Sequence, residues 1–331
     1  MTRIRTAIAD ITNKIDLSKD NAETVLTDIF TGTVDQTEIT DLLVALYQKG
    51  ESVSEIVGFA TAMRKAMIKI DLPHPIMDNC GTGGSGKSRF NISSAAAIVL
   101  ASMGIPMAKH GNRGSKGPTG SMDFIEALGI PIDLSPEKTK DYFLKHNICF
   151  LFARHYHPNM KCVTESRKTI PHRTIFNLLG PLCNPATVSH QLIGTPNVDT
   201  AKKLAEAAQQ LGTQSTWVIV GGNATDELSP NHTSTVFKVT PQSITEDKFT
   251  PQTLNLENTP QYTGETAPQN ATTFKTLIAT RQITHPIIIH IALNVAAAIS
   301  IFNATPLSTA YTNCITHIQN GTLNLDDFKL Q

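Results

Sequence analysis

Tryptophan occurs once, and aromatic residues make up only 6% of the 331-residue chain. Cysteine is also sparse: Cys80, Cys149, Cys162, Cys183 and Cys314 are odd in number and form no C-x-x-C pair. Such a set excludes a disulfide framework and a close-spaced cysteine zinc site; reduced thiols in the cytoplasm are expected. An excess of one charge is missing too. Lys and Arg total 28, Asp and Glu total 28, and the basic residues form no long block. That excludes a general nucleic-acid binder, whose footprint is a basic face. No uninterrupted apolar run reaches the roughly 18 residues of a membrane span. The opening M-T-R-I-R-T-A-I-A-D lacks the apolar core of a secretory leader. Neither a membrane nor a nucleic acid is therefore an expected partner. An apolar content of 40% suffices for a real core, the length suits two domains or one large one, and no repeat of fixed period is present.

What the chain does have is glycine, serine and lysine in two adjacent loops. Residues 81–94 read G-T-G-G-S-G-K-S-R-F-N-I-S-S, and residues 109–123 read K-H-G-N-R-G-S-K-G-P-T-G-S-M-D, with one apolar segment between them. Both loops offer many backbone N–H groups and little bulk, which suits a ligand with several phosphate oxygens. Gly81, Gly83, Gly84 and Gly86 allow close backbone approach. Asn91 with Ser93 or Ser94 can cap a helix over Ala95–Met103, whose positive end would face the anion. Lys109, Arg113 and Lys116 add full charges.

The remainder sorts into two styles. Residues 1–70 read as short amphipathic helices. Ser18 caps one that runs to Gly32. Asp35 with Glu38 resembles a capping box for a second ending near Gly50, and Ser52 or Ser54 opens a third. No chemistry is visible there, and docking or dimerisation is the expected use. Pro73-His74-Pro75 marks the change to an α/β pattern. Helices are expected over Asp123–Leu128, Ser135–Lys145, from an Asp199 cap to Leu211, and over Ile287–Phe302. Strands are expected at Ile148–Phe152 and Trp217–Val220, while 231–275 reads as irregular strands and loops. The basic, turn-rich stretch 153–190 breaks the rhythm and is expected to return to the helical part, lining a cleft.

Gly81 to Ser88 fits the P-loop pattern G-x-x-x-x-G-K-[ST] letter for letter. The context argues against a nucleotide hydrolase: the preceding His-Pro-Ile-Met-Asp-Asn-Cys reads as a poor strand, Arg89-Phe90-Asn91 delays the helix, and no second acidic strand end follows. Asp226-Glu227, shortly after a strong strand, can hold Mg²⁺ while ligand phosphates complete the coordination, or can be a solvated acidic turn. Arg167 and Arg173 are natural partners for a carboxylate, or ordinary surface arginines. His155 and His157 would share a face in a strand, but no third zinc ligand accompanies them.

Taken in order, D-N-C-G-T-G-G, F-N-I-S, K-H-G-N-R, G-S-M-D-F-I-E-A-L-G, H-P-N-M-K, R-T-I-F-N-L-L-G-P-L-C-N-P and D-E-L-S resemble the anthranilate phosphoribosyltransferase family over roughly residues 75–230. The resemblance implies a small N-terminal α-helical domain, 1–72, completed by about 163–190, and a larger α/β domain, 73–331, with a mixed, mainly parallel sheet. Pyrimidine nucleoside phosphorylases share that fold. It further implies phosphoribosyl transfer from phosphoribosyl pyrophosphate to anthranilate, a step of tryptophan biosynthesis, with two Mg²⁺ ions per subunit and a homodimer formed through the helical domain. By motif, Gly81, Asn112 and Arg167 would contact anthranilate, Arg167 near its carboxylate. The donor would be held by Gly81, Gly84, Ser85, Arg89, Asn91, Ile92, Ser93, Ser94, Lys109, His110, Gly111, Asn112, Arg113, Gly114, Ser115, Lys116, Gly117 and Ser121. Ser93, Asp226 and Glu227 would serve the metal. No residue is assigned as acid or base, since the nucleophile is a neutral amine.

The sequence departs from the family pattern at Ser85, where Asp is usual, at Arg89, where a small hydroxyl is usual, and at Gly114-Ser115-Lys116-Gly117, which replaces a serine-rich run. The exchange removes one negative charge and adds positive ones, so phosphate affinity is expected to lean on side-chain charge. It also leaves room for a paralogue with another acceptor or a binding-only role.

Overall fold

The computed structural model describes residues 2–83, 89–114 and 119–330. Gly84, Ser85, Gly86, Lys87 and Ser88, and Ser115, Lys116, Gly117 and Pro118, lie outside the described residues, so the expectations placed on them are not addressed by the structure. The chain opens with α1 (Arg3–Thr12), α2 (Lys19–Phe30), α3 (Gln36–Lys49) and α4 (Val53–Ala66). It continues through β1 (Met77–Gly81), α5 (Ile92–Ser102), β2 (Met107–Gly111), α6 (Ser121–Ala127), α7 (Pro136–His146), β3 (Ile148–Phe152), α8 (Ala153–Tyr156), α9 (Lys161–Thr169) and α10 (Ile175–Leu179). The final part is β4 (His190–Gly194), α11 (Val198–Gln210), β5 (Ser215–Val220), β6 (Ser234–Val239), β7 (Ile244–Phe249), α12 (Ala267–Ala279), α13 (Pro286–Asn303) and α14 (Leu307–Gln319).

The strands form one sheet in the order β3-β2-β1-β4-β5-β6-β7. The first five are parallel, and β6 and β7 add an antiparallel edge. Successive residues of a strand face opposite sides, and the apolar residues divide accordingly. Leu192 and Ile219 join the core built from α5, α6, α12, α13 and α14. Ile193, Val218 and Val220 join the core on the other face, which runs through α11 into α1–α4 and takes in Val163, Ile170, Ile175, Phe176, Leu179 and Leu182 from the 153–190 stretch. Trp217, partly buried, pairs with Lys238 across β5 and β6, and the Lys238 ammonium sits 4.9 Å from its ring.

Helix α13 has the length and apolarity of a membrane span, yet 67% of it is buried inside the protein. It packs against α5 and α14, so its composition reflects a core position.

Several expectations need correction. The residues before Gly81 read as a poor strand, but Met77–Gly81 is central in the sheet, between β2 and β4. Its polar residues are tolerated because they are bonded: buried Asp78 accepts from Asn184 Nδ2 at 2.9 Å and from the His110 N–H at 3.3 Å. The capping box sits at Ser52 and Glu55, whereas Asp35 caps through Thr37 N–H alone and Glu38 binds Arg5. Asn197, not Asp199, caps α11. The weakly patterned 231–275 holds the regular β6–β7 hairpin and the start of α12. His155 lies on the short helix α8 and bonds Asp133 at 3.1 Å, so the two histidines do not share a strand face.

Candidate active site

Strand order reverses about β1: β2 and β3 lie on one side, β4 and β5 on the other. In parallel α/β sheets a crevice opens at the carboxyl ends of the strands at such a point. Here β1 ends at Gly81, paired with Gly194 at the end of β4. The acidic loop lies directly on these two glycines. A Cβ on Gly194 would stand 1.8 Å from the Asp226 carbonyl oxygen, and one on Gly81 would stand 2.6 Å from Asp226 Oδ2. No side chain larger than hydrogen fits at Gly194 without moving that backbone. From behind, buried Asn294 on α13 holds the loop: its Oδ1 accepts from Leu228 N–H at 3.0 Å and its Nδ2 donates to Leu228 C=O at 3.2 Å.

Asp226 and Glu227 are thus presented side by side at the crevice, lined also by Asn79, Cys80, Gly81, Ser93 and Gly194. Burial, and then the adjacent Asp226 charge, push the Glu227 carboxyl up to about 8, against the pull of Arg89, the Ser93 N–H and Lys109. Arg89 Nη1 donates to Asp226 Oδ1 at 2.7 Å. Lys109 is 1% exposed, and its ammonium binds the Asn79 carbonyl and, at 3.1 Å, Asn79 Oδ1. Asn79 Nδ2 in turn donates to the Ser93 carbonyl at 2.8 Å. One chain of contacts therefore links β2, β1 and the first turn of α5.

At that turn, Ser94 Oγ is buried with no partner among the described residues. Asn91 precedes α5 without capping it. Its Nδ2 donates to the Gly120 carbonyl at 3.3 Å, while its Oδ1 accepts from Thr119 Oγ1 at 3.3 Å and Asn270 Nδ2 at 3.0 Å. It is the bolt between the two Gly-bearing loops. In the second loop, Asp123 Oδ2 accepts from the Gly114 and Gly120 N–H groups, both at 2.8 Å, and the Asn112 carbonyl accepts from Ser121 Oγ at 3.3 Å. Arg113 pairs with Glu126 at 3.0 Å, on the surface.

His110 Nδ1 donates to the Gly180 carbonyl at 3.0 Å, and its ring lies 5.1 Å from that of His157. Burial lowers His110 to about 3 and His157 to about 4, so both are neutral. Each keeps a buried Nε2 without a partner among the described residues. Arg167, at the end of α9, lies 5.4 Å over the Phe176 ring and has no carboxylate partner among the described residues; burial lowers its pKa. Arg173 makes the bidentate pair instead, to Glu51 at 2.8 and 2.9 Å. The second arginine is thus committed within the protein and the first is not.

Neither the Arg89–Asp226 pair nor the Asn294 support was foreshadowed by sequence pattern. A lone Asn inside the apolar 287–302 run was the available signal, since a buried amide needs partners.

This pairing of a helical bundle with a crevice at the reversal point of a mainly parallel sheet defines a class. Residues 5–67 match the helical bundle domain, and 73–323 the a/b domain, of a glycosyl transferase family. The anthranilate phosphoribosyltransferase of Halalkalibacterium halodurans is 44% identical over 242 residues, 73% of this chain and 71% of the relative. That of Saccharolobus islandicus is 43% identical over 257 residues, 78% and 74% of the two chains. The crystal structure of anthranilate phosphoribosyltransferase from Thermus thermophilus superposes with a TM-score of 0.88 at 31% identity, covering 96% of this chain and 95% of that one. The Saccharomyces cerevisiae enzyme, solved in complex with PRPP and Mg, shares the fold at a TM-score of 0.85 and 24% identity, with 98% and 97% covered. The chain belongs to the anthranilate phosphoribosyltransferase family.

Proposed function

We propose that this chain transfers the phosphoribosyl group of 5-phosphoribosyl 1-pyrophosphate to the amine of anthranilate, giving N-(5-phosphoribosyl)anthranilate and pyrophosphate, in tryptophan biosynthesis. The observation that carries it is the acidic pair seated at the sheet's reversal point, between the helix end at Ser93 and Ser94 and the two loops joined by Asn91. Breaking the ribose C1–O bond builds positive charge on the ribose and negative charge on the departing pyrophosphate. Loop N–H groups and the positive end of α5 stabilise the latter. The anthranilate nitrogen then bonds to C1 and loses a proton. The amine is already neutral, so orientation, rather than a strong base, is what the protein supplies. Arg167, free of an internal carboxylate among the described residues and desolvated, suits the anthranilate carboxylate.

Mg²⁺ fits the donor set. Asp226, Glu227 and Ser93 offer only hard oxygen ligands, and no cluster of three His, Cys, Asp or Glu occurs among the described residues, so phosphate oxygens and water would complete the coordination. Bound there, Mg²⁺ would neutralise charge on the leaving pyrophosphate. Two ions per subunit, division into 1–72 completed by 163–190 and 73–331, a homodimer through the helical part and a cytoplasmic location belong to the same proposal. Five free thiols suit a reducing compartment.

The P-loop alternative is disfavoured because Arg89, Phe90 and Asn91 are non-helical, so α5 begins only at Ile92. The test is pyrophosphate release and product fluorescence with and without anthranilate. Strict dependence on anthranilate supports the proposal. ATP hydrolysis without anthranilate, or donor binding without turnover, would overturn it in favour of a hydrolase or a binding-only paralogue.

A further inference from the structure

Arg89 is placed with more care than a surface side chain requires. Gly264 packs so closely on it that a Cβ there would stand 1.8 Å from the Arg89 carbonyl carbon and 2.1 Å from the Phe90 nitrogen. Asn270 Nδ2 donates to the Arg89 carbonyl at 3.4 Å, and the next side chain, Phe90, is 3% exposed in the core. The backbone is gripped on both sides, which directs the guanidinium to Asp226. The ion pair is itself sheltered, with side-chain exposures of 22% and 21%. Among the described residues Asp226 has no other ion pair, and the second cation near the acidic pair, Lys109, binds Asn79.

A guanidinium nitrogen at hydrogen-bond distance occupies one of the Asp226 oxygens that a divalent cation would coordinate, and it brings a positive charge to the acidic pair. We propose that Arg89 is a built-in counter-cation of the acidic pair, which a divalent metal must displace and which then passes to a phosphate of the diphosphate donor. Metal alone displaces it poorly, because the released guanidinium finds no new anion. Metal accompanied by a diphosphate displaces it readily, because one charge pair is exchanged for two. Metal and diphosphate binding are thereby coupled. This inference rests on the proposed role of Asp226 and Glu227.

The test titrates Mn²⁺ alone, following the free ion by electron paramagnetic resonance, against wild type, Arg89→Gln, Arg89→Lys and Arg89→Gln/Asp226→Asn. Arg89→Gln is expected to bind Mn²⁺ about tenfold more tightly than wild type, Arg89→Lys to stay near wild type, and Asp226→Asn to cancel the gain. In wild type, inorganic pyrophosphate should raise Mn²⁺ affinity by a larger factor than in Arg89→Gln, once the Mn²⁺ that pyrophosphate binds in a protein-free titration has been subtracted. Equal Mn²⁺ affinities in wild type and Arg89→Gln, no binding by any variant, or a gain that survives Asp226→Asn would overturn the proposal. Anthranilate-dependent turnover of wild type, measured in parallel, keeps the two readings apart. Its absence defeats the reaction, whereas equal Mn²⁺ affinities defeat only the role given to Arg89.

Discussion

Arg167 and Arg173 show what environment does to one residue type. By residue type both could meet a carboxylate, and the family resemblance singled out Arg167; the structure adds that Arg173 is given to Glu51. Arg167→Ala is expected to raise the KM for anthranilate roughly tenfold to a hundredfold with a smaller change in kcat, since a charged hydrogen bond is worth about 1.5–3 kcal/mol. Arg173→Ala should instead lower the melting temperature. Steady-state kinetics and thermal melts distinguish the two, and unchanged anthranilate KM in Arg167→Ala would remove it from the site. The buried histidines give a pH signature. His157, lowered to about 4 by burial, stays neutral in the fold while the unfolded chain takes up a proton near the ordinary value of 6.5. Its neutral burial is fully tolerated above pH 6.5, and stability is lost as pH falls from there towards 4, by about 1.4 kcal/mol per pH unit. The stability gap between wild type and His157→Gln should therefore narrow as pH falls from about 7 to about 5 in thermal melts; a constant gap would contradict neutral burial.

At the scale of elements, the acidic loop depends on neighbours that carry no charge. Asn294→Leu strands the Leu228 N–H and C=O, which is expected to cost about 1–3 kcal/mol in stability. It should also weaken Mn²⁺ binding by letting the loop leave the glycine-floored strand ends. Calorimetric melts and Mn²⁺ titration check both effects. Loss of stability with unchanged Mn²⁺ affinity would mean that Asn294 does not set the loop's position. The legibility of the elements follows the same physics. Ile148–Phe152 and Ser215–Val220 announced themselves because their apolar side chains point into cores on both faces. Met77–Gly81 did not, since its Asp78 and Asn79 are paired by residues distant in sequence: Asn184, His110, Lys109 and Ser93. Periodicity registers local pattern and is blind to such long-range satisfaction. Glycine and cation density drew attention to the two loops in the sequence, while the partners that Arg89, Asn91 and Lys109 meet were not legible there.

For the whole molecule, the helical bundle and the sheet share one apolar core. Ile56, Val57, Phe59 and Ala60 of α4 are fully buried in the cluster that includes α10, α11 and the outer strands. Removing residues 1–72 would uncover that face, and exposed apolar surface of this kind drives association. The fragment 73–331 is expected to aggregate or to lose its cooperative melt, as checked by light scattering and calorimetry. A soluble fragment melting within a few degrees of the full chain would show that the two parts fold separately. The solitary indole of Trp217 has a further use. It stands in the strand that leads into the acidic loop, beneath the Lys238 ammonium, with no second tryptophan anywhere in the chain to blur its emission. The protein thus carries a single lamp on the strand that precedes the acidic loop, and any rearrangement of that strand would alter its brightness.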